Sequence, residues 1–214
     1  MPTATMNLFA YAAEWGFPET DPGEGDWADP SNYLEMTVNL ANLGGLMGTT
    51  AEGGTGGSGW YDGAIDWRDD APLLVARWYR TADWYPKTTD MALMGSTGAI
   101  IAPCYGRYEY ENGFMGQIFV GERTGGHCVT LVRAVSDGFF TEEVSVHDPS
   151  NGSSLLSQSD YVMKTYDSVE TMDLLFDLDE DGFFDYIAAT ALNHPIGDGR
   201  IRLFDSYMMM RPMF

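Results

Sequence analysis

Near residue 98 the sequence changes its periodicity, and the C-terminal half is written almost entirely in β grammar. Residues 98–110, 127–135, 139–147, 160–166, 171–178, 183–190 and 200–210 are runs rich in β-branched and aromatic residues, punctuated by Gly, Asp and Pro. The part before residue 98 reads as helices. Residues 2–15 place Leu8, Ala12 and Trp15 on one face behind Pro2 at the first helical position, and Gly16-Phe17-Pro18 ends the segment. A second helix is predicted from Pro30 to Gly44-Gly45 with Leu34, Val38 and Ala41 inward. A third runs through the sixties and seventies to Arg80. Helices first and strands later predict an α+β fold, with N-terminal helices packed on a C-terminal antiparallel sheet. The Gly-rich residues 48–59 read as a surface loop within one domain, 1–214, because the segment preceding them is too small to fold alone. There is no internal repeat.

Charge removes several classes of function. Asp+Glu number 32 against 11 Lys+Arg, a formal charge of −21. Nucleic acid and anionic membrane surfaces are therefore excluded as natural partners. No apolar run approaches the roughly 20 residues that span a bilayer, so membrane insertion is not expected. The opening residues carry no positive charge and do not read as a signal peptide. Acids outnumber bases 12 to 1 over residues 1–70 and 15 to 4 over residues 137–214, while residues 71–136 hold 5 and 6. With lysine only at Lys87 and Lys164, this is a solvated acidic surface suited to a salty or extracellular setting. Cys104 and Cys128 are too few for a disulfide scaffold and are either free or paired with each other. Trp60, Tyr61, Trp67, Trp78, Tyr79, Trp84 and Tyr85 make the middle dense in aromatics, as core packing or a substrate groove would require.

The stretch from Gly125 to Pro149 carries the chemistry. Asp137-Gly138 between two β-rich runs predicts a two-residue hairpin loop, because such a turn needs positive φ at both centres. Ser136 would then face Phe139, and continuing that register sets His127 opposite Asp148. Opposed side chains share a face with Cβ atoms roughly 4.5–5.5 Å apart, near enough for a carboxylate to orient an imidazole. Cys128 and His147 would point to the other face. A structural His–Asp pair at a sheet end satisfies the same spacing.

Gly-Gly-His ahead of an apolar strand, a hairpin, a returning strand and Asp148-Pro149 resembles the His/Asp half of papain-like cysteine peptidases, in particular the bacteriocin-processing, double-glycine leader peptidases. Gln158-Ser159-Asp160-Tyr161 and the opening Pro2-Thr3-Ala4-Thr5-Met6-Asn7-Leu8 are similar to segments of that group. The resemblance covers roughly the first 15 residues and Ile100 to Tyr161. It implies a papain-like fold acting on peptide bonds in a peptide or protein substrate, with His127 as base and Asp148 as orienting acid. Its nucleophilic cysteine would stand immediately before Met1. The resemblance leaves two expectations: a cysteine peptidase whose reading frame extends upstream, or a non-catalytic peptide-binding module of the same fold. Without that cysteine the chain is expected to be inactive, and no cofactor is required for catalysis.

A second candidate site is Asp177-Leu178-Asp179-Glu180-Asp181-Gly182-Phe183-Phe184-Asp185. Alternate carboxylates followed by glycine suit a hard oxygen-seeking ion, with Asp177, Asp179, Asp181 and Asp185 as ligands and Phe183 offering its carbonyl. Ala188 stands where a bidentate glutamate would complete a Ca²⁺ loop. An acidic hairpin turn explains the spacing equally well, and a calcium-stabilised extracellular interaction domain is the third expectation.

Overall fold

The computed structural model describes residues 1–23, 29–81, 84–137, 142–147, 163–166, 169–177, 184–196 and 199–213. The first helix, α1 (Pro2–Glu14), opens on Pro2, whose missing N–H is one that no helix start can satisfy internally. Leu8 and Ala12 are buried as the pattern requires and Phe9 joins them, but Trp15 lies past the helix end and is 53% exposed.

In α2 (Pro30–Leu46) the Asp29 carboxylate caps the helix by accepting the Ser31 N–H at 2.9 Å. The predicted inward stripe is overturned here. Leu34, Val38 and Ala41 are exposed, while Met36, Leu40 and Leu43 pack into the core. Two apolar stripes overlap on this helix, and the bulkier one wins the contact with its neighbours. The predicted third helix also divides. Its first part is α3 (Gly57–Arg68), starting inside the Gly-rich stretch; the rest is a strand, β1 (Leu73–Tyr79). Asp69 takes φ 50° and stops the helix, and the Arg68 guanidinium bonds the carbonyls of Ala71 and Leu73 across the bend. A fourth helix, α4 (Thr88–Ser96), precedes the strands, which make up about 45% of the chain.

Those strands are β2 (Ile100–Asn112), β3 (Ile118–Cys128), β4 (Thr130–Ser136), β5 (Glu142–His147), β6 (Met163–Tyr166), β7 (Val169–Phe176), β8 (Asp185–Ile196) and β9 (Arg200–Pro212). They do not form the single antiparallel sheet under helices that the papain-like expectation required. β9, β2, β3, β7 and β8 pair in that order, and β8 pairs back onto β9, closing a five-stranded barrel with β1 added alongside β9. The fold is mixed α/β around that barrel. Closure needs curvature, and the strands flanking β2 supply it with extra residues: Asp205 of β9 opposite Cys104/Tyr105, and residues of β3 such as Thr124 opposite Arg107–Tyr110. The circle is completed by a short parallel seam, Phe119 with Leu175 and Val120 with Phe176. A separate antiparallel sheet, β4-β5-β6, lies beside it.

Each layer has its own core. Phe9, Leu43, Trp60 and Met208 fill the space between the helices and the sheet, where the Trp60 indole donates to Thr5 Oγ1 at 2.6 Å. Tyr108, Val120, Leu174, Ile187 and Leu203 fill the barrel, and Tyr85 packs among them fully buried. Burying such side chains contributes on the order of 1.5–3 kcal/mol each. Tyr105, Val129, Val144 and Phe204 join the barrel's outer face to the second sheet. Cys104 and Cys128 are paired across β2 and β3 and form a disulfide.

Candidate functional site

The hairpin between β4 and β5 forms, but in another register. Ser136 faces Glu142, so the connection is longer than Asp137-Gly138, and a further shift between Leu131 and Arg133 sets Thr130 against His147. His127 is not on this hairpin. It belongs to β3, and at Val129, whose N–H bonds Pro103 O at 3.0 Å, the chain leaves the barrel for the second sheet. The residue opposite His127 is therefore Tyr105, with the rings edge to face at 5.7 Å. Asp148 lies outside the described residues. Cys128 lies in the helix-side core, as its opposite parity to His127 predicts.

His127 lines a cavity of about 330 Å³ on the outer face of the barrel, with Arg107, Thr124 and Arg200. Arg202 pairs in register with Arg107 and holds its guanidinium 5.9 Å from the Tyr105 ring. Of the calcium candidates, Asp185 opens β8 opposite Phe176, and Asp177 follows the end of β7. Asp179, Asp181 and Phe183 lie outside the described residues. Among the described residues no group of three or more His, Cys, Asp or Glu is placed to hold a metal ion.

The larger site is one that the sequence did not announce. At the mouth of the barrel is a cavity of about 690 Å³. Its buried wall is Tyr85, Tyr108, Val120 and Phe176, and Phe119 and Phe184 extend it outward as an edge-to-face pair at 4.8 Å. Arg80, Arg123 and Arg200 line it too, as do the exposed Glu109, Glu111 and Glu122. Nearly half of the chain's 11 bases (Arg80, Arg107, Arg123, Arg200 and Arg202) thus lie on or beside this end of the barrel.

Asp205 organises the cavity's inner end. It is 2% exposed, and its Oδ2 accepts Arg123 Nε at 2.7 Å and the Tyr108 hydroxyl at 3.0 Å. Arg80 Nη1 stands 3.6 Å from the same oxygen, Ser206 donates to Oδ1 at 3.0 Å, and the Asp205 carbonyl accepts the Arg80 N–H at 2.8 Å. A buried carboxylate persists only when so satisfied. Room for the ion pair comes from Gly106 and Gly126, which face each other across β2 and β3. A Cβ on Gly106 would collide with Asp205 Oδ2 and Arg123 Nε, and one on Gly126 would strike Arg123 Nη2. Burial works against the Arg123 charge, but the Asp205 carboxylate outweighs it and holds the guanidinium above its ordinary pKa. Burial, reinforced by Asp205, raises Tyr108, and burial pushes Tyr85 up to about 12, so both phenols stay neutral donors at physiological pH.

One trace of this site was present in the strand pattern. In Ile201-Arg202-Leu203-Phe204-Asp205 the acid falls on the parity of the inward-facing Ile201 and Leu203. An acid at an inward position requires a partner, and Arg123 is that partner. No protein-family model matches the chain, and a search of curated proteins finds no relative.

Proposed function

We propose that this chain is a non-catalytic binding module for peptides and that the barrel mouth is where they sit. The observation that carries this reading is the meeting of both charge signs around one aromatic-walled cavity. Arg80 and Arg123 stand at the Asp205 end, exposed glutamates stand on the rim, and the wall between them is aromatic. An occupant matching all three carries a cation, an anion and an apolar body, as a short peptide with a basic and an aromatic residue does. The cavity volume falls within the usual range for small-ligand sites.

Cys104 and Cys128 are joined to each other, so neither offers a thiolate to a peptide at this mouth. The test is fluorescence anisotropy with the N-terminally labelled pentapeptide Lys-Ala-Lys-Phe-Phe. Saturable binding is expected, with intact peptide recovered by mass spectrometry and affinity roughly tenfold weaker in Phe184→Ser, whose side chain is 45% exposed. No saturable binding, or a cleaved peptide, would overturn the proposal.

A further inference from the structure

The turn between β2 and β3 carries two large apolar side chains into solvent, Phe114 at 84% and Met115 at 87% exposure. Met115 does so from a left-handed backbone, φ 61°, which a residue with a side chain adopts only at a cost. The turn is nonetheless closed and fastened to the barrel. The Gly113 N–H donates to Gln117 O at 2.8 Å, and Gln117 Nε2 donates to the Tyr186 hydroxyl at 2.8 Å. A Cβ on Gly113 would strike the Phe119 ring, so the base of the turn lies directly against that ring. Behind the tip the apolar surface continues. Strand pairing sets Phe119 level with Leu175 and Leu175 level with Tyr186, and the exposed Phe184 packs edge to face on Phe119. Single exposed apolar residues need no explanation, but a connected patch of them marks a contact surface.

Charge decides what kind of partner covers this patch. Glu111 faces Phe119 across β2 and β3, and Asp185 stands between Phe184 and Tyr186 at the start of β8. Both are exposed, and among the described residues neither makes an ion pair. The arginines at this end of the barrel are engaged elsewhere: Arg80 and Arg123 hold Asp205, and Arg200 stands opposite Glu109 in register. A second copy of this chain would set these carboxylates against their own kind, and an anionic lipid surface would be repelled in the same way. We propose that the β2–β3 tip and the aromatic surface behind it dock a cationic segment of a partner protein. Its apolar side chains cover Phe114, Met115 and Tyr186, and its lysines or arginines meet Glu111 and Asp185. This surface lies outside the barrel cavity, so the inference goes beyond the peptide reading and does not depend on it. Desolvation of the aromatic and thioether side chains supplies affinity, and the two carboxylates select against neutral and acidic partners.

The probe is a labelled nonapeptide, Lys-Leu-Lys-Lys-Leu-Leu-Lys-Lys-Leu, followed by fluorescence anisotropy, with the same sequence carrying Glu for every Lys as its counterpart. Saturable binding of the lysine peptide is expected, about tenfold tighter than the glutamate one or better. A chain of charge −21 attracts any cation, so paired variants separate docking from general attraction. Phe114→Ser/Met115→Ser changes no charge and should weaken the lysine peptide about tenfold while the melting temperature holds. Glu111→Gln/Asp185→Asn should weaken it several-fold. Glu35→Gln/Glu52→Gln, the same change of charge on the helical side of the molecule, should not. Undiminished affinity in the Phe114/Met115 variant refutes the proposal, and so does an equal loss in the two carboxylate variants. A dimer in sedimentation that the Phe114/Met115 variant abolishes refutes it as well, and assigns the patch to a second copy.

Discussion

Asp205 shows how one side chain can decide the character of a barrel end. Its carboxylate is nearly inaccessible and holds Arg123, Arg80 and Tyr108 around it, so its removal leaves two guanidiniums and a phenol without their acceptor. Breaking a buried pair in this way costs about 3–5 kcal/mol, reduced here because Arg123 keeps contact with water. Asp205→Asn should therefore lower stability by about 2–3 kcal/mol in urea denaturation. An unchanged midpoint would mean that the cluster contributes nothing to the fold. A second residue contributes to the response to acid. Burial holds His147 below its ordinary value of 6.5, so the unfolded chain takes up the proton first as pH falls. Its contribution to stability is complete above pH 6.5 and is lost as pH drops through the depressed folded value. The fall in melting temperature between about pH 7.5 and 5.5 should accordingly be smaller in His147→Gln than in the unaltered chain.

Among the elements, β2 connects most of the architecture. It pairs with β9 along one side and β3 along the other, and the disulfide fastens it to β3 at the point where the chain turns off to β4. The bond closes a sequence separation of 24, which corresponds to about 3 kcal/mol in the chain-entropy picture. The double variant Cys104→Ala/Cys128→Ala should lose roughly that much in urea denaturation, and a loss under about 1 kcal/mol would contradict the assigned bond. Many elements were legible in the sequence, because a period of two or of 3.6 is a local property, but β1 reads as helix, and α4 and most of β3 were not among them. Register was not legible. A two-residue reading of Asp137-Gly138 set His127 opposite Asp148, whereas Ser136 meets Glu142 and His127 sits on another strand opposite Tyr105. In the same way Leu34 and Val38 formed a good stripe on α2, but Met36, Leu40 and Leu43 formed a better-filled one, and only the neighbouring helices decide between them.

For the molecule as a whole, the step that local pattern could not predict was closure. Strand periodicity is the same for an open sheet and for a barrel, and the difference lies in bulges and in the parallel seam of β3 with β7, which joins residues more than 50 positions apart. The papain-like expectation gave way there. Closure also created the candidate site, because it brought Tyr85, Tyr108, Arg123 and Asp205 together from separate segments of the chain. The net charge of −21 marked the surface as acidic, yet it concealed the clustering of arginines at one barrel end, since a sum carries no positions.

The most direct measurement is a two-dimensional amide NMR titration of the ¹⁵N-labelled chain with the pentapeptide Lys-Ala-Lys-Phe-Phe. The shifts should concentrate on Tyr108, Val120, Arg123 and Phe176 around the mouth of the barrel. Shifts confined instead to the groove where α1 and α4 meet β4 beside Tyr11, Met91 and Val132 would contradict the account.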